Sequence, residues 1–577
     1  MKCAEKSVPL HTERKFEQYL LRNTLNMENS FNACIEDSIK KYWNFDALTD
    51  YKGVTLQYQD VARKIEKLHI LFEESGIQKG DKIALCGRNM SNWAVAFLAT
   101  LTYGAVAVPI LHEFTADQIH NIVNHSEAKL LFVGDVVSTQ IDPDKMPDLH
   151  GIVNIPDYSL MVSRTDKLTY ARENLNLLFG QKFPKFFRKE MVNYYKEQNP
   201  DELALINYTS GTTGFSKGVM IPYRAMWSNL IFANEALDKC LHPGDNTISI
   251  LPMAHMYGMA FEFIKEFASG CHIFFLTRIP SPAVVAQAFA EIKPVVIIAV
   301  PLVIEKIIRK KVLPKLDTPA MKILLKTPLV SQKVREKIRA EVEKAFGGRF
   351  YEIIIGGAAF NQEVESFLKK IEFPYTVGYG ATECAPIICY SDWHSFVPGS
   401  CGRSVIHMEV KIDSPDPATI PGEILARGLN VMLGYYKNEE ATAETIDKDG
   451  WYHTGDLGTM DVNGNVFING RSKNMLLGAN GQNIYPEEIE DKLNSMAMVV
   501  ESIVVQRDTK LVALVHPDLD EAKNMGFTMD DLAGIMEQNR NTLNEALPAY
   551  EKISEIEIHE EEFAKTPKKS IKRYLYK

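Results

Sequence analysis

The amino-acid sequence predicts an α/β fold, in which a large N-terminal domain of layered α/β subdomains precedes a small C-terminal α+β domain. Up to about residue 400, short apolar strand-like runs alternate with helix-like stretches, which is typical of parallel sheets covered by helices. Beyond that point the strands are shorter and partly alternating, which indicates an antiparallel, β-barrel-like section. The residues that follow, 471–577, have the size of a further small domain.

The predicted strands end in glycine, proline or a polar turn. In chain order they read KIALCGRN, AKLLFVGD, ELALINYTS, NTISILPM, CHIFFLT, PVVIIAVP and RFYEIIIGG, and then HMEVKID, GEILARG, NVFING and SIVVQRD. Residues 157–200 interrupt this series with the basic and aromatic stretch FPKFFRKEMVNYYKEQNP. We expect a surface helical insertion there, and a peripheral contact with a membrane surface is the alternative.

One uncharged segment, Trp93 to Leu111, approaches the length of a membrane span. Gly104 and Pro109 interrupt it, so we expect an apolar helix followed by a short buried strand. No positive flank or second span accompanies it, which argues against membrane insertion.

Composition excludes several classes of protein. The 577 residues are 46% apolar and 24% charged, which is ordinary for a globular protein. With 64 basic and 74 acidic residues, the net charge of −10 argues against a nucleic-acid partner. The eight cysteines form no C-x-x-C pair and the N-terminus lacks an apolar signal region, so we expect a reducing, cytoplasmic location, with membrane association as the alternative.

The most specific motif is YTSGTTGFSKGV, Tyr208 to Val219, which follows a predicted strand. Its glycines allow backbone N–H groups to surround phosphate oxygens, its hydroxyl side chains add donors, and its lysine adds a positive charge. The spacing is not that of a Walker A loop. The sequence therefore predicts a polyphosphate-binding loop formed by Thr209, Ser210, Gly211, Thr212, Thr213, Gly214 and Lys217.

Two further motifs carry chemistry. In GYGATE, a tyrosine between glycines, Tyr379, can present its ring to a planar base, Thr382 can bind a phosphate, and Glu383 can provide an oxygen ligand to Mg²⁺. In WYHTGDLG, a glycine-flanked aspartate, Asp456, can accept both hydroxyls of a ribose, and Arg471 follows nearby.

Together, these motifs resemble the adenylate-forming superfamily, the AMP-dependent synthetases and ligases. That family has a Thr/Ser/Gly-rich phosphate loop, GYG-x-TE, TGD and GR-x-K in this order, and the resemblance runs from about residue 30 to the C-terminus. It implies an N-terminal AMP-binding domain over 1–470, a mobile C-terminal cap over 471–577 and a hinge at Lys473. It also places His255 beside the acyl pocket, and assigns nucleotide contacts to Gly356, Gly357, Ala358, Gly378, Tyr379, Gly380, Asp456 and Arg471.

The resemblance implies that a carboxylic acid attacks ATP to give acyl-AMP and pyrophosphate, with Thr382 and Glu383 near the reacting groups. A thiol then displaces AMP, and the cap rotates between the two steps. Glu383 would hold the substrate-borne Mg²⁺, and the scattered histidines have no zinc spacing. ATP, Mg²⁺ and coenzyme A are therefore the expected cofactors.

Two residues depart from the family pattern. Ser216 stands where the phosphate loop usually has proline, and Ser570 stands where the C-terminal segment usually has its catalytic lysine. We expect Lys569 to reach in from the next position. The alternatives are a side chain from elsewhere, or weak adenylation.

The stretch MYGMAFEF is mainly methionine and aromatic, which suits an alkyl chain. The insertion at 157–200 and the overall layout resemble those of bacterial long-chain fatty-acid–CoA ligases, so a medium- or long-chain fatty acid is the expected substrate. Cys384 to Ile387 is also small or apolar, although all of these side chains could equally be ordinary core. The alternatives for function are loading of a separate acyl carrier protein, and a nucleotide-binding homologue with weakened catalysis. A luciferase-like reaction has no support in the residues.

Overall fold

A computed structural model describes residues 30–209, 217–277, 282–308, 331–477, 483–507, 510–548, 551–566 and 571–576. The strands are β1 (Asp46–Asp50), β2 (Thr55–Gln57), β3 (Lys82–Cys86), β4 (Val106–Ile110), β5 (Leu130–Val133), β6 (Gly151–Asn154), β7 (Leu160–Ser163), β8 (Leu203–Thr209), β9 (Lys217–Pro222), β10 (Asn246–Ser249), β11 (His272–Phe275), β12 (Val296–Ala299), β13 (Glu352–Ile355), β14 (Tyr375–Val377), β15 (Tyr379–Gly380), β16 (Ile387–Tyr390), β17 (Arg403–Ser404), β18 (Met408–Asp413), β19 (Gly422–Gly428), β20 (Gly434–Tyr435), β21 (Tyr452–Met460), β22 (Val466–Arg471), β23 (Leu476–Leu477), β24 (Asn483–Ile484), β25 (Val499–Arg507), β26 (Lys510–Pro517) and β27 (Ile553–Ile558).

The α-helices are α1 (Phe31–Lys41), α2 (Tyr58–Glu74), α3 (Ser91–Tyr103), α4 (Ala116–Ser126), α5 (Asp135–Ser138), α6 (Asp166–Glu173), α7 (Leu175–Lys182), α8 (Tyr223–Leu237), α9 (Met256–Gly258), α10 (Lys265–Ala268), α11 (Pro282–Ile292), α12 (Pro301–Ile307), α13 (Ser331–Ala345), α14 (Gln362–Lys370), α15 (Glu439–Thr445), α16 (Pro486–Asn494), α17 (Leu519–Met525) and α18 (Met529–Ala546). A π-helical stretch, Met259–Ile264, joins α9 to α10, and 3₁₀ turns cover Pro143–Lys145, Lys189–Met191, Thr382–Cys384, Ser472–Asn474 and Arg573–Leu575.

The largest sheet joins eight strands in the order β20-β9-β8-β4-β3-β5-β6-β7. Its central strands, β8 to β6 in that order, run parallel to one another. The outer strands β9, β20 and β7 pair antiparallel with their neighbours. The central strands are buried and apolar because helices cover both faces of such a sheet. The predicted parallel layers are therefore confirmed.

Two smaller sheets continue the α/β pattern. In the sheet β10-β11-β1-β2 only β2 is antiparallel, and β12-β13-β14 is wholly parallel. Beyond residue 400, β18-β19-β21-β22 form the predicted antiparallel section. Parallel strands place their carboxyl ends on one edge, where loops collect functional side chains.

The apolar segment at 93–111 is a helix followed by a strand, as predicted. Helix α3 ends where Gly104 adopts φ 89°, and β4 is buried in the large sheet. The Asp50 carboxylate accepts hydrogen bonds from the N–H and the hydroxyl of Ser91, the first residue of α3. It thereby satisfies one of the free N–H groups at the start of this helix. No helix within the described ranges is long and apolar enough to cross a membrane.

The segment at 157–200 is only partly helical, which corrects the expectation of a helical insertion. It begins with β7, continues through α6 and α7, and is irregular after Phe183 except for one 3₁₀ turn. Pro184 disfavours helical geometry at the residue before it, and Phe183 has φ −126° and ψ 74°. Further on, the N–H of Tyr194 donates to Glu36 of α1 at 2.8 Å instead of to a helical carbonyl.

The C-terminal region has its own sheet and apolar core. Strand β26 pairs antiparallel with β25 and parallel with β27, and α16 to α18 belong to the same region. Two apolar clusters drawn from residues 476–576 are distinct from the two clusters of the preceding part. The boundary at residue 470 stays a prediction.

Candidate active site

The predicted phosphate loop connects two neighbouring antiparallel strands. Strand β8 ends at Thr209 and β9 begins at Lys217, and these two residues are directly paired. A side chain at Gly218 would come within 2.9 Å of Ile206 and 3.0 Å of the Tyr208 ring, so the hairpin requires glycine there. Ser210 to Ser216 lie outside the described residues, and the roles predicted for Ser210, Gly211, Thr212, Thr213 and Gly214 stay predictions.

A tyrosine links the lysine of this loop to the glutamate of the second motif. The Nζ of Lys217 lies 4.7 Å from the centre of the Tyr435 ring. The Tyr435 hydroxyl donates to Oε1 of Glu383 at 3.0 Å. Tyr435 is placed there because β20 pairs with β9, which aligns Tyr435 with Val219. The structure thus joins Lys217 and Glu383, which lie far apart in the sequence.

The GYGATE motif starts at the carboxyl end of β14. A side chain at Gly380 would meet the carbonyl oxygen of Pro386 at 2.2 Å, so the motif's second glycine is sterically required. Thr382 is buried at the start of a 3₁₀ turn, and Glu383 is half-buried in the same turn. The Tyr379 side chain is buried, so little of the ring face that was predicted to contact a base is exposed.

Tyr379, Asp456 and Arg471 form one polar group. The Tyr379 hydroxyl donates to Oδ2 of Asp456 at 2.6 Å, and Nε of Arg471 lies 2.7 Å from Oδ1. Pairing of β21 with β22 sets Asp456 directly opposite Arg471. Burial raises the pKa of the Asp456 carboxyl, and the positive charge of Arg471 opposes that rise. The charge of Glu383 raises the same pKa further, so the two motifs interact electrostatically.

The predicted adenine-side glycines follow β13. Gly356 would carry a side chain only 3.1 Å from the Tyr257 ring, and Gly357 has φ +88°, a conformation that favours glycine. The N–H of Gly356 donates to Ala299 and that of Gly378 donates to Ile355, so the ends of β12, β13 and β14 lie together. Ala358 is exposed just beyond this junction.

The loop that carries His255 is held by buried amides. Asn207 of β8 donates to the carbonyl of Ala254 at 2.9 Å, which ties this loop to the strand before the phosphate loop. Asn89 donates to the carbonyl of Leu251 at 2.6 Å and accepts from the N–H of Met253 at 2.9 Å. His255 accepts from the N–H of Tyr257 through Nδ1 at 3.3 Å.

A buried carboxyl supports the same loop from the π-helical stretch. Oε2 of Glu262 accepts from the N–H groups of Ile250 and Leu251 at 3.1 and 2.8 Å, and from the hydroxyl of Ser249 at 3.3 Å. Its Oε1 has no hydrogen-bond partner among the described residues. Burial raises the pKa of Glu262 well above its ordinary value. This carboxyl is a feature that the sequence reasoning missed.

The predicted alkyl pocket is partly cavity and partly core. A narrow, mainly apolar cavity lies between α8, the π-helical stretch and the residues after GYGATE. It is lined by Met226, Asn229, Leu230, Met256, Ala260, Ile264 and Ala385. Phe263 instead packs among Phe97, Phe267 and Phe275 in the core. Phe263 is therefore ordinary core, and the acyl-pocket role of Met256 and Ala260 stays a prediction.

The described residues contain no cluster of three or more histidine, cysteine or acidic side chains that could hold a metal alone. Mg²⁺ bound through substrate phosphates needs fewer protein ligands, commonly one or two carboxylates. Glu383 fits this role because it is half-buried and uses only Oε1 for Tyr435 in the contacts described above.

The elements around the predicted hinge and catalytic lysine are partly defined. Lys473 is exposed in the 3₁₀ turn Ser472–Asn474. The nearby Asn469 and Asn474 donate to Glu488 and Glu487 of α16, each at 2.6 Å.

The segment predicted to carry the catalytic lysine is described only at its ends, where Lys565 and Ile571 pair. Lys569 and Ser570 lie outside the described residues. The hinge and the Lys569 role both stay predictions.

Comparison with known proteins identifies the family. A model described as "AMP-binding enzyme" matches residues 35–436. The chain belongs to the AMP-binding enzyme family. This membership confirms the resemblance read from the phosphate loop, GYGATE and TGD, and with it the expectation of an enzyme of this class.

Two similar proteins are both named long-chain-fatty-acid–CoA ligases. Long-chain-fatty-acid–CoA ligase ACSBG2 of Gallus gallus is 26% identical over 512 residues, which are 83% of this chain and 66% of that protein. The chain thus spans slightly less than two thirds of that relative. Long-chain-fatty-acid–CoA ligase of Escherichia coli O6:H1 is 27% identical over 482 residues, 79% of each chain.

Solved structures confirm the predicted fold class. ATP-bound MatB from Rhodopseudomonas palustris superposes with a TM-score of 0.74 at 21% identity, covering 95% of this chain and 98% of MatB. At that identity the similarity establishes the fold.

Glu262 gives a test of how the substrate loop is held. A carboxyl whose folded-state pKa is raised contributes stability below its unfolded pKa, near 4.3, and loses that contribution as the pH rises through the folded value. We therefore expect the unfolding free energy of the native protein, relative to Glu262→Gln, to fall by about 1–3 kcal/mol between pH 5 and pH 8. Urea unfolding across this range measures it.

The matched control is Glu444→Gln, because Glu444 is exposed on α15. This control should show no pH-dependent difference from the native protein. A Glu262→Gln difference that is the same at every pH would contradict the buried, protonated state.

Proposed function

We propose that this protein activates a medium- or long-chain fatty acid with ATP, giving acyl-AMP and pyrophosphate, and then transfers the acyl group to the thiol of coenzyme A with release of AMP. The observation that supports it most is the Lys217–Tyr435–Glu383 chain beside the ends of the phosphate loop. It brings together Lys217, whose positive charge can bind a phosphate, and Glu383, whose carboxylate can bind a divalent cation held by that phosphate.

The chemistry of activation explains these residue types. A carboxylate acylates poorly because its oxygen is a bad leaving group, and attack on the α-phosphorus of ATP replaces it with AMP. Negative charge on the phosphoryl oxygens must be stabilised during the transfer. Lys217 would supply a positive charge, and Glu383 would hold the Mg²⁺ that neutralises part of the rest.

The Tyr379–Asp456–Arg471 group suits a ribose. The carboxylate already accepts from Tyr379 and pairs with Arg471, but its two oxygens have about four acceptor positions. The remaining positions can accept two ribose hydroxyls. The contact with Arg471 fixes the carboxylate's orientation before the nucleotide arrives, which reduces the ordering required on binding.

The identities of the acid substrate and of the thiol acceptor have less specific support than the nucleotide chemistry. The side chains around Met256 and Ala385 are mainly apolar, as an alkyl chain requires, but the cavity between them is only about 10 Å³ and would have to widen to admit one. The two relatives named above are long-chain-fatty-acid–CoA ligases. A separate acyl carrier protein is the second candidate for the acceptor. A nucleotide-binding homologue with weakened catalysis is the alternative that Ser570 favours.

The products of the reaction distinguish these functions. We expect acid-dependent exchange of pyrophosphate into ATP, strongest with fatty acids of medium or long chain, in an assay over a panel of acids of graded length. Addition of coenzyme A should then release AMP and a thioester. No exchange with any acid would overturn the proposal and favour the nucleotide-binding homologue, and a thioester formed only with acyl carrier protein would favour the second candidate.

Removal of the Tyr435 hydroxyl tests the contact with Glu383. Tyr435→Phe keeps the ring beside Lys217 but removes the donor to Glu383, so we expect kcat/KM for pyrophosphate exchange to fall about tenfold, close to the value of one hydrogen bond to a charged group. The apparent affinity for Mg²⁺ should fall with it, which a titration of the exchange rate measures.

The adjacent tyrosine provides the control. Tyr436 donates to the exposed Glu127 at 2.9 Å, so Tyr436→Phe removes an equivalent hydroxyl away from Glu383. It should leave both quantities nearly unchanged. Equal losses in the two variants would show that the hydroxyl of Tyr435 has no specific role.

A further inference from the structure

The loop Phe183–Met191, here called the basic loop, exposes apolar and cationic side chains together. Phe186 is 72% exposed and Met191 44% exposed, which is unusual for large apolar residues. Lys185, Arg188 and Lys189 are exposed in the same loop, together with one carboxylate, Glu190. Among the described residues, none of these three cations lies within ion-pair distance of a carboxylate.

A neighbouring helix contributes two lysines and a carboxylate beside the basic loop. Lys189 lines an open groove with Lys40 and Lys41 from the last turn of α1, and the carboxylates of Asp37 and Glu190 line the same groove. Lys40 pairs with Glu36, whereas Lys41 is exposed and lies beside the Tyr42 ring. The chain as a whole carries a net charge of −10, so this concentration of cations is opposite in sign to the protein's overall charge.

Contacts between other aromatic rings attach the basic loop to the rest of the protein. Phe183 lies 4.9 Å from Phe187 and 5.0 Å from Phe179 of α7, measured between ring centres. Phe187 also contacts Trp43 at 5.8 Å, and both pack against the large core. These contacts hold the loop in place without Phe186. The exposed ring is therefore not needed for packing.

We propose that the basic loop, with Lys41, is a docking surface for a membrane containing anionic lipids. Exposed aromatic and aliphatic side chains enter the boundary between headgroups and acyl chains, and lysine or arginine beside them pairs with lipid phosphates. Because the rest of the protein is acidic, this surface would orient the molecule on such a membrane. The contact is peripheral and goes beyond the proposed reaction.

Charge distinguishes the bilayer from a second copy of the chain as the occupant. This surface carries four exposed cations, Lys41, Lys185, Arg188 and Lys189, against two exposed carboxylates, Asp37 and Glu190, so it is positive overall. A symmetric self-contact would bring two such positive surfaces together, which is unfavourable. An anionic bilayer matches both the charge and the apolar side chains. Self-association therefore serves as the contrary outcome in the test.

The test is co-sedimentation of the full chain with vesicles of phosphatidylcholine, with and without phosphatidylglycerol. We expect binding to the anionic vesicles that weakens as salt is added, and little binding to phosphatidylcholine alone. Lys185→Glu with Arg188→Glu should lower the partition coefficient on anionic vesicles about tenfold or more, and Phe186→Ser about tenfold. Far-ultraviolet circular dichroism confirms that each variant folds.

The controls match these changes at other exposed positions. Lys448→Glu with Lys523→Glu makes the same change in charge, and Val462→Ser removes a side chain that is 95% exposed in a turn. Equal weakening by these controls, or no binding to anionic vesicles at low salt, would overturn the proposal. A change of sedimentation velocity in Phe186→Ser without loss of vesicle binding would assign the surface to self-association instead.

Discussion

The contact between the Tyr435 hydroxyl and the Glu383 carboxylate determines the arrangement of the candidate site. Tyr435 lies on an edge strand of the large sheet, next to the strand that starts at Lys217. Glu383 belongs to the segment that follows the separate sheet β12-β13-β14. The hydroxyl therefore connects the edge of the large sheet to the turn between β15 and β16. It places a cation near a carboxylate, and the two would bind the same polyphosphate.

The remaining site residues depend on buried polar contacts for their positions. Asn89, Asn207 and Glu262 each hydrogen-bond the backbone of the loop before His255. Unpaired buried polar groups are costly, so each of these contacts restricts the loop to one conformation. The result is a fixed loop beside a narrow apolar cavity. In the proposed reaction, the acid would lie beside this loop, close to the strand that precedes the predicted phosphate loop.

Local sequence patterns predicted much of this fold because they report burial directly. Strands such as KIALC and EIII are continuous apolar runs, and both lie inside parallel sheets. The pairing of Tyr435 with Glu383 was not predictable, because it depends on how β20 docks against β9 and no local pattern encodes that. Glu262 did leave a signal, since it is the only charged residue in MYGMAFEF. The helical expectation after Phe183 was wrong because Pro184 and the Glu36 contact override composition.

The central claim is that an oxygen of the carboxylic acid attacks the α-phosphorus of ATP. Its most direct test uses a fatty acid labelled with ¹⁸O in the carboxyl group, together with ATP and coenzyme A, and mass spectrometry of the products. Attack at the α-phosphorus predicts one ¹⁸O atom in each AMP and none in pyrophosphate. Formation of ADP, with ¹⁸O in inorganic phosphate, would contradict it, because the acid would then have attacked the terminal phosphate.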